Sequence, residues 1–525
     1  MPNDRRSNHF GKTRAVALTA AVAVGVTGLV ATGVSPASAS PGGTLDTAFT
    51  TNLGTGTNNV AADVAVQSDH KIVVVGDFSN VGGTLSYRVG RFGPDGSPDT
   101  TFNTNVHYGL NGYAGSVAVA PDGKIVVGGT FTGQSQGSVA YQTAGHIARF
   151  NAAGTPDTSF RLATGTGLNN AVFAVAVQPD GKVLVGGIFT TQNGVACNGL
   201  ARFNANGTPD TTFRTNINTG GGLGGVTDVV LQSDGKILVG GNFNTASGVA
   251  SKHIARYNSN GTLDTAFSTQ IGTGFNNNVR AVAVQPDGKI LVTGVFTSVN
   301  GVGAGYLARL NSQGTVDTGF TTNANAAANR LNDYGESLAR QPDGKVVVGG
   351  NFTTVGGTAS ARIARFNSNG TVDTDFRSQV GTGFAPAFAA RVALQPIGEG
   401  KIIAGAYNGP TFNGTAVKRI TRLSGDYIAP PRTAQSQKPV KTKLKKRGTK
   451  TVNGKSARTR QGVALRAKAV SKKNKRCVVV KKGPGRKLTL KTTGKCRKVT
   501  VKVRYSAPGT AAYLPYKKTV TFKAR

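Results

Sequence analysis

Aspartates that follow an arginine by eight residues are the most frequent pairs of chemically competent side chains in this chain. Carboxylates of this kind can act as acids or bases, or can bind calcium. These aspartates recur once per internal repeat, however, and a position shared by every repeat chiefly serves the common core. We therefore expect them to be structural partners of the arginines. The pairs are Arg91–Asp99, Arg149–Asp157, Arg202–Asp210, Arg256–Asp264, Arg309–Asp317 and Arg365–Asp373.

Five charged residues depart from the repeat and are the candidate ligand-binding residues. They stand where the first strand of a repeat begins, at or next to positions that other copies fill with Ser116, Ala174 or Ala281. We expect these side chains to converge near a central channel and to bind a small polar or sugar ligand. The alternative is a set of solvated charges at loop ends. The five residues are Asp63, Asp228, Arg280, Glu336 and Arg391.

Other patterns that carry chemistry find little support. The chain has neither a nucleophile elbow nor an HExxH motif. Segments such as GTGLNN (165–170) lack the lysine and helix of a phosphate-binding loop and indicate turns. Tryptophan is absent, which weakens a carbohydrate-processing cleft, because indole is a strong stacking surface. The sequence predicts no catalytic residue, no metal site and no cofactor.

A unit that recurs seven times must position these residues. Its clearest copy is VRAVAVQPDGKILVTGVF (279–296) followed by YLARLNSQGTVDTGF (306–320). The lysine after the central turn recurs at intervals of 53 to 58 residues, at Lys71, Lys124, Lys182, Lys236, Lys289, Lys345 and Lys401. Short β-branched runs separated by glycine turns at this period are typical of a β-propeller. The prediction is an all-β, seven-bladed propeller with four-stranded blades.

Hairpin geometry specifies how the third and fourth strands of a blade pair. If residues 152–154 form a three-residue turn, Arg149 lies opposite Asp157, and TPDTSF (155–160) is the fourth strand. The seventh copy lacks this segment after RITRL (419–423), whereas TLDTAF (44–49) supplies it near the beginning of the chain. The N-terminal strand is therefore expected to complete the last blade and to close the ring. The predicted closing pair is Asp46 with Arg422.

The pattern VAVQPDGKILVGG…IARFNxxGTxDTxF, which covers about residues 44–423, resembles the delta-60 repeat. This is a β-propeller repeat of bacterial secreted and surface proteins. The resemblance implies a propeller and carries no catalytic motif.

The two ends of the chain differ from its body. A basic start, an apolar run (15–34) and Ala37-Ser38-Ala39 predict a secretory signal peptide over residues 1–39, with twin-arginine export left open. An uncleaved anchor is the alternative. The net charge is +3 in this leader and +4 in the propeller (40–428), but +31 over residues 429–525, which contain no acidic residue. No other segment is apolar enough to span a bilayer.

The basic tail divides into a linker (429–461), rich in proline and lysine, and a small basic β-sandwich (462–525). Cys477 and Cys496 are predicted to form a disulfide in an oxidising compartment, whereas Cys197 is unpaired. GKC (494–496) and SAPGTAAYLPYKKTVTF (506–522) resemble bacterial Ig-like modules.

We expect a secreted protein, extracellular or held non-covalently at the cell wall. It is expected to be a non-enzymatic recognition or structural protein, whose propeller binds an unidentified ligand. The expected partner of the tail is an anionic cell-wall polymer or surface polysaccharide, since intracellular nucleic acid does not fit an exported protein. The alternative is an extracellular propeller enzyme that acts on a glycan or cell-wall polymer.

Overall fold

The structure, a computed structural model, describes residues 41–135, 140–217, 223–385, 391–395, 400–405 and 411–426. In the C-terminal part it describes the backbone of six strands. The predicted signal peptide (1–39) and both cysteines of the predicted disulfide, Cys477 and Cys496, lie outside the described residues. No helix among the described residues is long and apolar enough to cross a membrane.

Repeated three-stranded antiparallel sheets form the body of the protein, and we name their strands inner, middle and outer in chain order. The inner strands are Ala61–Val66, Ala114–Val119, Val172–Val177, Val226–Leu231, Val279–Val284, Gly335–Arg340 and Arg391–Gln395. The middle strands are Ile72–Gly76, Ile125–Gly129, Val183–Gly187, Ile237–Gly241, Ile290–Gly294, Val346–Gly350 and Lys401–Gly405. The outer strands are Val89–Phe92, Ile147–Phe150, Leu200–Phe203, Ile254–Tyr257, Leu307–Leu310, Ile363–Phe366 and Ile420–Leu423.

The hydrophobic core lies between adjacent sheets. Middle strands such as Val183–Gly187 are buried along their whole length, as expected for β-branched strands covered on both faces. Glycines allow the sheets to approach closely: a Cβ atom added at Gly186 would overlap Val226 Cγ1 of the next sheet. Each inner strand contacts the next along the chain, and Arg391–Gln395 contacts Ala61–Val66. The inner strands therefore form a closed cycle.

A small hairpin connects each middle strand to the outer strand. In the third repeat its turn is Asn193-Gly194, with φ of 51° and 74°, the left-handed geometry of a tight hairpin turn. Phe384–Ala385 adds a third strand to the last hairpin. The hairpins pair Asn80–Val81 with Thr84–Leu85, Gly133–Ser135 with Tyr141–Thr143, Thr191–Gln192 with Val195–Ala196, Thr245–Ala246 with Val249–Ala250, Ser298–Val299 with Val302–Gly303, Thr354–Val355 with Thr358–Ala359, and Thr411–Phe412 with Thr415–Ala416.

The predicted fourth strand is wrong: a short helix takes its place. Pro156 makes a single bridge with Phe150, and Asp157 then caps a helix by accepting a hydrogen bond from the Phe160 N–H at 3.2 Å. The first N–H groups of a helix have no partner inside the helix, and the Asp157 carboxylate satisfies one of them. The chain therefore enters a helix directly after Asp157. The helices are Thr47–Asn52, Thr100–Val106, Thr158–Thr164, Thr211–Ile217, Thr265–Ile271, Thr318–Asn325 and Thr374–Val380.

The N-terminal segment packs on the last sheet of the cycle. The Asp46 N–H donates to the Arg422 carbonyl at 2.8 Å, and the Ser424 N–H donates to the Thr44 carbonyl at 2.9 Å. Helix Thr47–Asn52 follows and buries Phe49 completely. Residues 44–49 therefore complete the last sheet as a bridge and a helix, in place of the predicted strand.

The C-terminal part contains two three-stranded antiparallel sheets. One has the order Arg447–Asn453, Leu488–Thr493, Val478–Lys482, and the other Arg466–Lys473, Val499–Ala507, Tyr516–Ala524. The first strand, Arg447–Asn453, lies inside the segment predicted to be a linker (429–461). It pairs with Leu488–Thr493 and so belongs to the first of these two sheets.

Candidate functional site

The repeated aspartates lie where each outer strand turns into its helix. Asp157 Oδ2 accepts hydrogen bonds from Arg149 Nε at 2.9 Å and from Lys124 Nζ at 2.7 Å, while Oδ1 accepts the helix N–H. In the other five repeats with this triad the Arg–Asp distances are 2.9–3.0 Å and the Lys–Asp distances 2.6–2.9 Å. Two cations and a helix N-terminus thus occupy each carboxylate, which leaves it a structural group.

These contacts predict a loss of stability in acid. Burial alone would raise the pKa of Asp157, but hydrogen bonds from Lys124, Ser159 and the Phe160 N–H, with the charge of Arg149, outweigh burial and hold this pKa well below its usual range. The net pKa is also lowered at Asp46, Asp99, Asp210, Asp264, Asp317 and Asp373.

A carboxyl with a lowered folded-state pKa contributes stability that is fully present above the unfolded pKa of about 3.9. This contribution is lost as the pH falls towards and through the folded pKa. We expect the urea midpoint of unfolding to fall progressively below about pH 4, and Asp157→Asn to make that decline shallower. Urea titrations across this range measure both effects. A midpoint that is constant or rises as the solution is acidified would contradict the prediction.

The same arginines clamp each sheet to the next. Arg149 Nη1 donates to the Ala205 carbonyl of the following sheet at 2.6 Å, and its guanidinium lies 4.0 Å from the centre of the Phe160 ring. Arg422 of the last sheet donates to the Pro94 carbonyl of the first at 2.5 Å. The complete circle is Arg91 to Ala152, Arg149 to Ala205, Arg202 to Ser259, Arg256 to Ser312, Arg309 to Ser368, Arg365 to Gly425, and Arg422 to Pro94.

The predicted closing pair takes part in this circle. Arg422 Nε lies 3.0 Å from Asp46 Oδ2, and Lys401 Nζ lies 3.6 Å from the same oxygen. The Arg422 guanidinium also lies 4.2 Å from the centre of the Phe49 ring. The two ends of the cycle are thus joined by the same contacts among arginine, lysine, aspartate and phenylalanine that occur within each of the other six repeats.

A cavity of about 240 Å³ lies at the centre of the cycle, lined by residues of all seven inner strands. Three of the five candidate residues, Asp63, Asp228 and Arg391, line it directly. Two others, Arg280 and Glu336, occupy bulge positions in their strands, where the pairing register shifts. A bulge re-aims the neighbouring side chains, which explains why the five charges stand at two adjacent sequence positions.

Asp63 and Asp228 occupy equivalent places and make equivalent bonds. Asp63 accepts the N–H of Val64 at 2.9 Å and that of Val117, in the next sheet, at 2.9 Å. Asp228 accepts the N–H of Val229 at 2.9 Å and that of Val282, again in the next sheet, at 2.7 Å. Each carboxylate therefore bridges two sheets while it borders the cavity.

The environment of the cavity shifts both carboxyl groups in the same direction. Burial raises the pKa of Asp63, although Arg391 and the backbone N–H groups offset part of this effect. Burial, together with the nearby charge of Asp63, raises the pKa of Asp228 to about 6, although the Val282 N–H and Arg391 offset part of the effect. The cavity thus contains two interacting carboxyl groups that are harder to ionise than exposed ones.

The remaining charges form a chain of ion pairs. Arg391 Nη2 lies 3.3 Å from Glu336 Oε1, and Arg280 Nε lies 3.8 Å from Glu336 Oε2. The Arg280 guanidinium is 5.9 Å from the centre of the Tyr334 ring. The structure therefore connects all five candidate residues, directly or through Glu336, to the central cavity.

Sequence reasoning missed the apolar member of this site. Phe173 stands at the bulge of the third inner strand, lines the cavity and is 37% exposed. Its position is equivalent to those of Arg280 and Glu336, so the rule that selected charged departures from the repeat would have found it if applied to aromatic residues.

The described residues contain no group of three or more His, Cys, Asp or Glu side chains placed to hold a metal ion. Cys197 is unpaired and fully buried, and its Sγ lies 3.1 Å from the Leu200 carbonyl. Burial raises the pKa of its thiol to about 12, which makes it a poor nucleophile. Cys197 therefore packs as a small apolar residue.

Comparison with known proteins places the repeat in a structural class. Six segments match the family described as "Domain of unknown function (DUF5122) beta-propeller", at residues 67–102, 120–160, 178–213, 232–267, 285–320 and 341–376. One similar solved structure is a protein of unknown function from Bacteroides caccae, which is 12% identical, with a TM-score of 0.26 over 59% of this chain and 90% of the other. No curated protein matches the chain.

Proposed function

We propose that this chain, a β-propeller repeat protein, is a non-enzymatic recognition protein of the cell exterior, with a seven-bladed ring as its scaffold. The single observation that carries this proposal is how the charges divide. Charges that follow the repeat are engaged in contacts within and between sheets, whereas five charges that depart from it, Asp63, Asp228, Arg280, Glu336 and Arg391, lie at the central cavity or are ion-paired to it. The cavity is the proposed ligand site.

The chemistry of the cavity favours a small polar ligand. The lining combines the carboxylates of Asp63 and Asp228, the guanidinium of Arg391, the hydroxyl of Thr227 and the ring of Phe173. Each carboxylate oxygen has two acceptor sites, and the backbone N–H groups use one of them. A ligand with both donor and acceptor groups, such as an amino acid, a polyol or a monosaccharide, matches this set.

Calorimetric titration of the exported protein with panels of amino acids, polyols and monosaccharides tests the site. Asp228→Asn removes the charge and retains one acceptor oxygen, for either the Val229 or the Val282 N–H, whereas alanine would remove both acceptors. We expect it to weaken binding by about tenfold or more, while Asp122→Asn, an exposed turn residue, leaves binding unchanged. No binding by any member of the panels, or equal affinity in the Asp228 variant, would remove the cavity from consideration.

One observation favours the alternative, an enzyme that acts on a glycan or cell-wall polymer. A carboxyl group with a pKa of about 6 beside a second carboxyl group in one cavity resembles a general acid and its partner. Against this, both carboxylates are held by backbone N–H groups of two sheets. Release of reducing ends from cell-wall polysaccharides, abolished in Asp228→Asn, would establish the enzyme and overturn the non-enzymatic proposal.

For the tail we propose non-covalent retention on an anionic cell-wall polymer or surface polysaccharide, in an Ig-like module with a Cys477–Cys496 disulfide. The charge of +31 over residues 429–525 supports this proposal. We expect washing cells with about 1 M salt, at which the screening length is about 3 Å, to release the protein. Retention of all of the protein under these conditions would contradict electrostatic binding.

A further inference from the structure

A group of tyrosines interrupts the repeat where the first and second sheets meet. Tyr87 precedes the first outer strand, at a position that the other repeats fill with Gly145, Asn198, Lys252, Gly305, Ala361 and Lys418. His107 and Tyr108 replace the Gly-Thr pair that follows the helix in other copies, as at Gly165-Thr166. Because the other sheets form without these aromatic side chains, the fold does not require them.

The aromatic side chains are arranged side by side, and we call Tyr87, Tyr108 and Tyr141 the tyrosine row. The rings of Tyr87 and Tyr108 pack edge to face, with their centres 5.6 Å apart. Tyr141, in the second small hairpin, donates from its hydroxyl to the Tyr108 carbonyl at 3.0 Å. All three side chains are only half-buried. The row therefore presents aromatic surface to solvent across two repeats.

A polar cleft adjoins the tyrosine row. It has a volume of about 370 Å³ and is lined by Asn58, Asn59, Asp77, Ser79, Tyr87 and Arg88. Arg88 Nε lies 3.2 Å from Asp77 Oδ1, and the Asp77 side chain is 44% exposed. Among the described residues, the hydroxyls of Tyr87 and Tyr108 have no hydrogen-bond partner. The Asn58 amide is bonded to Ser79 and Asn80, and Arg88 Nη1 donates to the Phe78 carbonyl. The cleft thus combines half-exposed aromatic rings with the half-exposed carboxylate of Asp77 and the tyrosine hydroxyls.

We propose that this cleft and the tyrosine row bind a neutral saccharide. A pyranose ring has an apolar face of C–H groups and an edge of hydroxyls, so it can pack on tyrosine while a carboxylate, a guanidinium and the Asn59 amide bind its hydroxyls. Asp77 and Arg88 cancel in charge, which favours an uncharged ligand. The Arg88 guanidinium is 5.8 Å from the centre of the Tyr87 ring, so a cation already lies by that ring and a cationic ligand is disfavoured.

The sixth repeat has polar residues equivalent to Asp77 and Arg88, but it has no aromatic residue at the position of Tyr87. Arg362 is equivalent to Arg88, and Asn351, equivalent to Asp77, donates to Asp333 at 2.7 Å. Ala361 stands where Tyr87 does. The polar residues thus recur where alanine replaces Tyr87, although Tyr334 adjoins them from another position, and Tyr87 distinguishes the proposed site. It lies apart from the central cavity, whose lining residues it does not share.

The experiment is calorimetric titration of the exported protein with short chito-, cello-, malto- and manno-oligosaccharides, with tetramethylammonium as the cationic probe. We expect at least one saccharide series to bind, Tyr87→Ala to weaken that binding by about tenfold, and Tyr87→Phe to weaken it less, since the ring remains. Asp77→Asn should also weaken binding. Leu162→Ala, at an apolar side chain that is 69% exposed on another helix, is the control and should bind normally.

Three outcomes would overturn this proposal. They are binding of no saccharide, unchanged affinity in Tyr87→Ala with an unchanged melting temperature, and competition by tetramethylammonium. Asp228→Asn separates this site from the central cavity: saccharide affinity that survives that substitution supports the tyrosine row even if the cavity proposal fails. A saccharide bound only in the cavity would lose affinity in Asp228→Asn and keep it in Tyr87→Ala.

Discussion

Removal of residues 44–49 is expected to destabilise the ring strongly, because this segment completes the last sheet from the other end of the chain. The deletion removes Phe49, which is fully buried, and leaves Arg422 without the carboxylate of Asp46. Phe49→Ala alone should lower the free energy of unfolding by about 3–5 kcal/mol. Adding Asp46→Ala to this variant should lower the free energy of unfolding further, since it also removes a helix cap. Urea unfolding monitored by circular dichroism measures these losses.

Phe160→Ala is the matched control for this prediction, because Phe160 occupies the same position in the second repeat and is equally buried. Both substitutions should lower the free energy of unfolding by similar amounts. Only Phe49→Ala should open the junction between the N-terminal segment (44–49) and the last sheet of the cycle. Hydrogen exchange of the Ile420–Leu423 strand should therefore accelerate in Phe49→Ala and not in Phe160→Ala. An unchanged melting temperature after deletion of residues 44–49 would show that the ring does not depend on this closure.

Arg365→Ala is expected to be the most damaging single change among the clamping arginines. Arg365 is completely buried and binds two carboxylates, Asp373 at 2.8 Å and Asp426 at 2.7 Å. Its removal leaves Asp426 without this cation and breaks the bond to the Gly425 carbonyl. Loss of one partner from a fully buried ion pair costs about 3–5 kcal/mol. We expect a smaller cost here, because Asp426 is 30% exposed and Asp373 keeps Lys345. Denaturant unfolding of the purified variant measures this cost.

Arg309→Ala supplies the comparison, because Arg309 binds one carboxylate, that of Asp317, which also keeps Lys289. We expect a smaller loss of stability in this variant. A double-mutant cycle of Arg365→Ala with Asp426→Ala should recover part of the cost, since the carboxylate is then absent as well. Equal losses in the Arg365 and Arg309 variants would show that Asp426 contributes nothing to the clamp.

Much of the scaffold could be predicted because hairpin geometry is local. The three-residue turn at 152–154 sets the register, and the Asp157 N–H does donate to the Arg149 carbonyl at 2.8 Å. The prediction of a β-propeller repeat protein is confirmed by the six family matches. The strand prediction for residues 155–160 is wrong after Asp157, which caps the helix Thr158–Thr164. The Asp-Thr-x-Phe sequence is a helix-capping signal, but a helix of seven residues is too short to show its own periodicity.

The contacts between sheets could not be predicted in this way. Arg149 and Ala205 are 56 residues apart, and the sequence contains no pattern that specifies a bond between a guanidinium and a backbone carbonyl at that separation. The role of Asp426 was missed for the same reason. It lies where the seventh copy leaves the repeat, and only the tertiary structure places it against Arg365, 61 residues earlier.

The sequence by itself determined the repeat, the pairing of each arginine with its aspartate, and the positions at which the seven copies differ. These features follow from local geometry and from comparison of one copy with another. Only the tertiary structure decided which of the five candidate residues line the cavity, namely Asp63, Asp228 and Arg391, and that Tyr87, Tyr108 and Tyr141 form one row. The physical reason is that residues from different repeats become neighbours only when the sheets pack side by side and the first closes against the last.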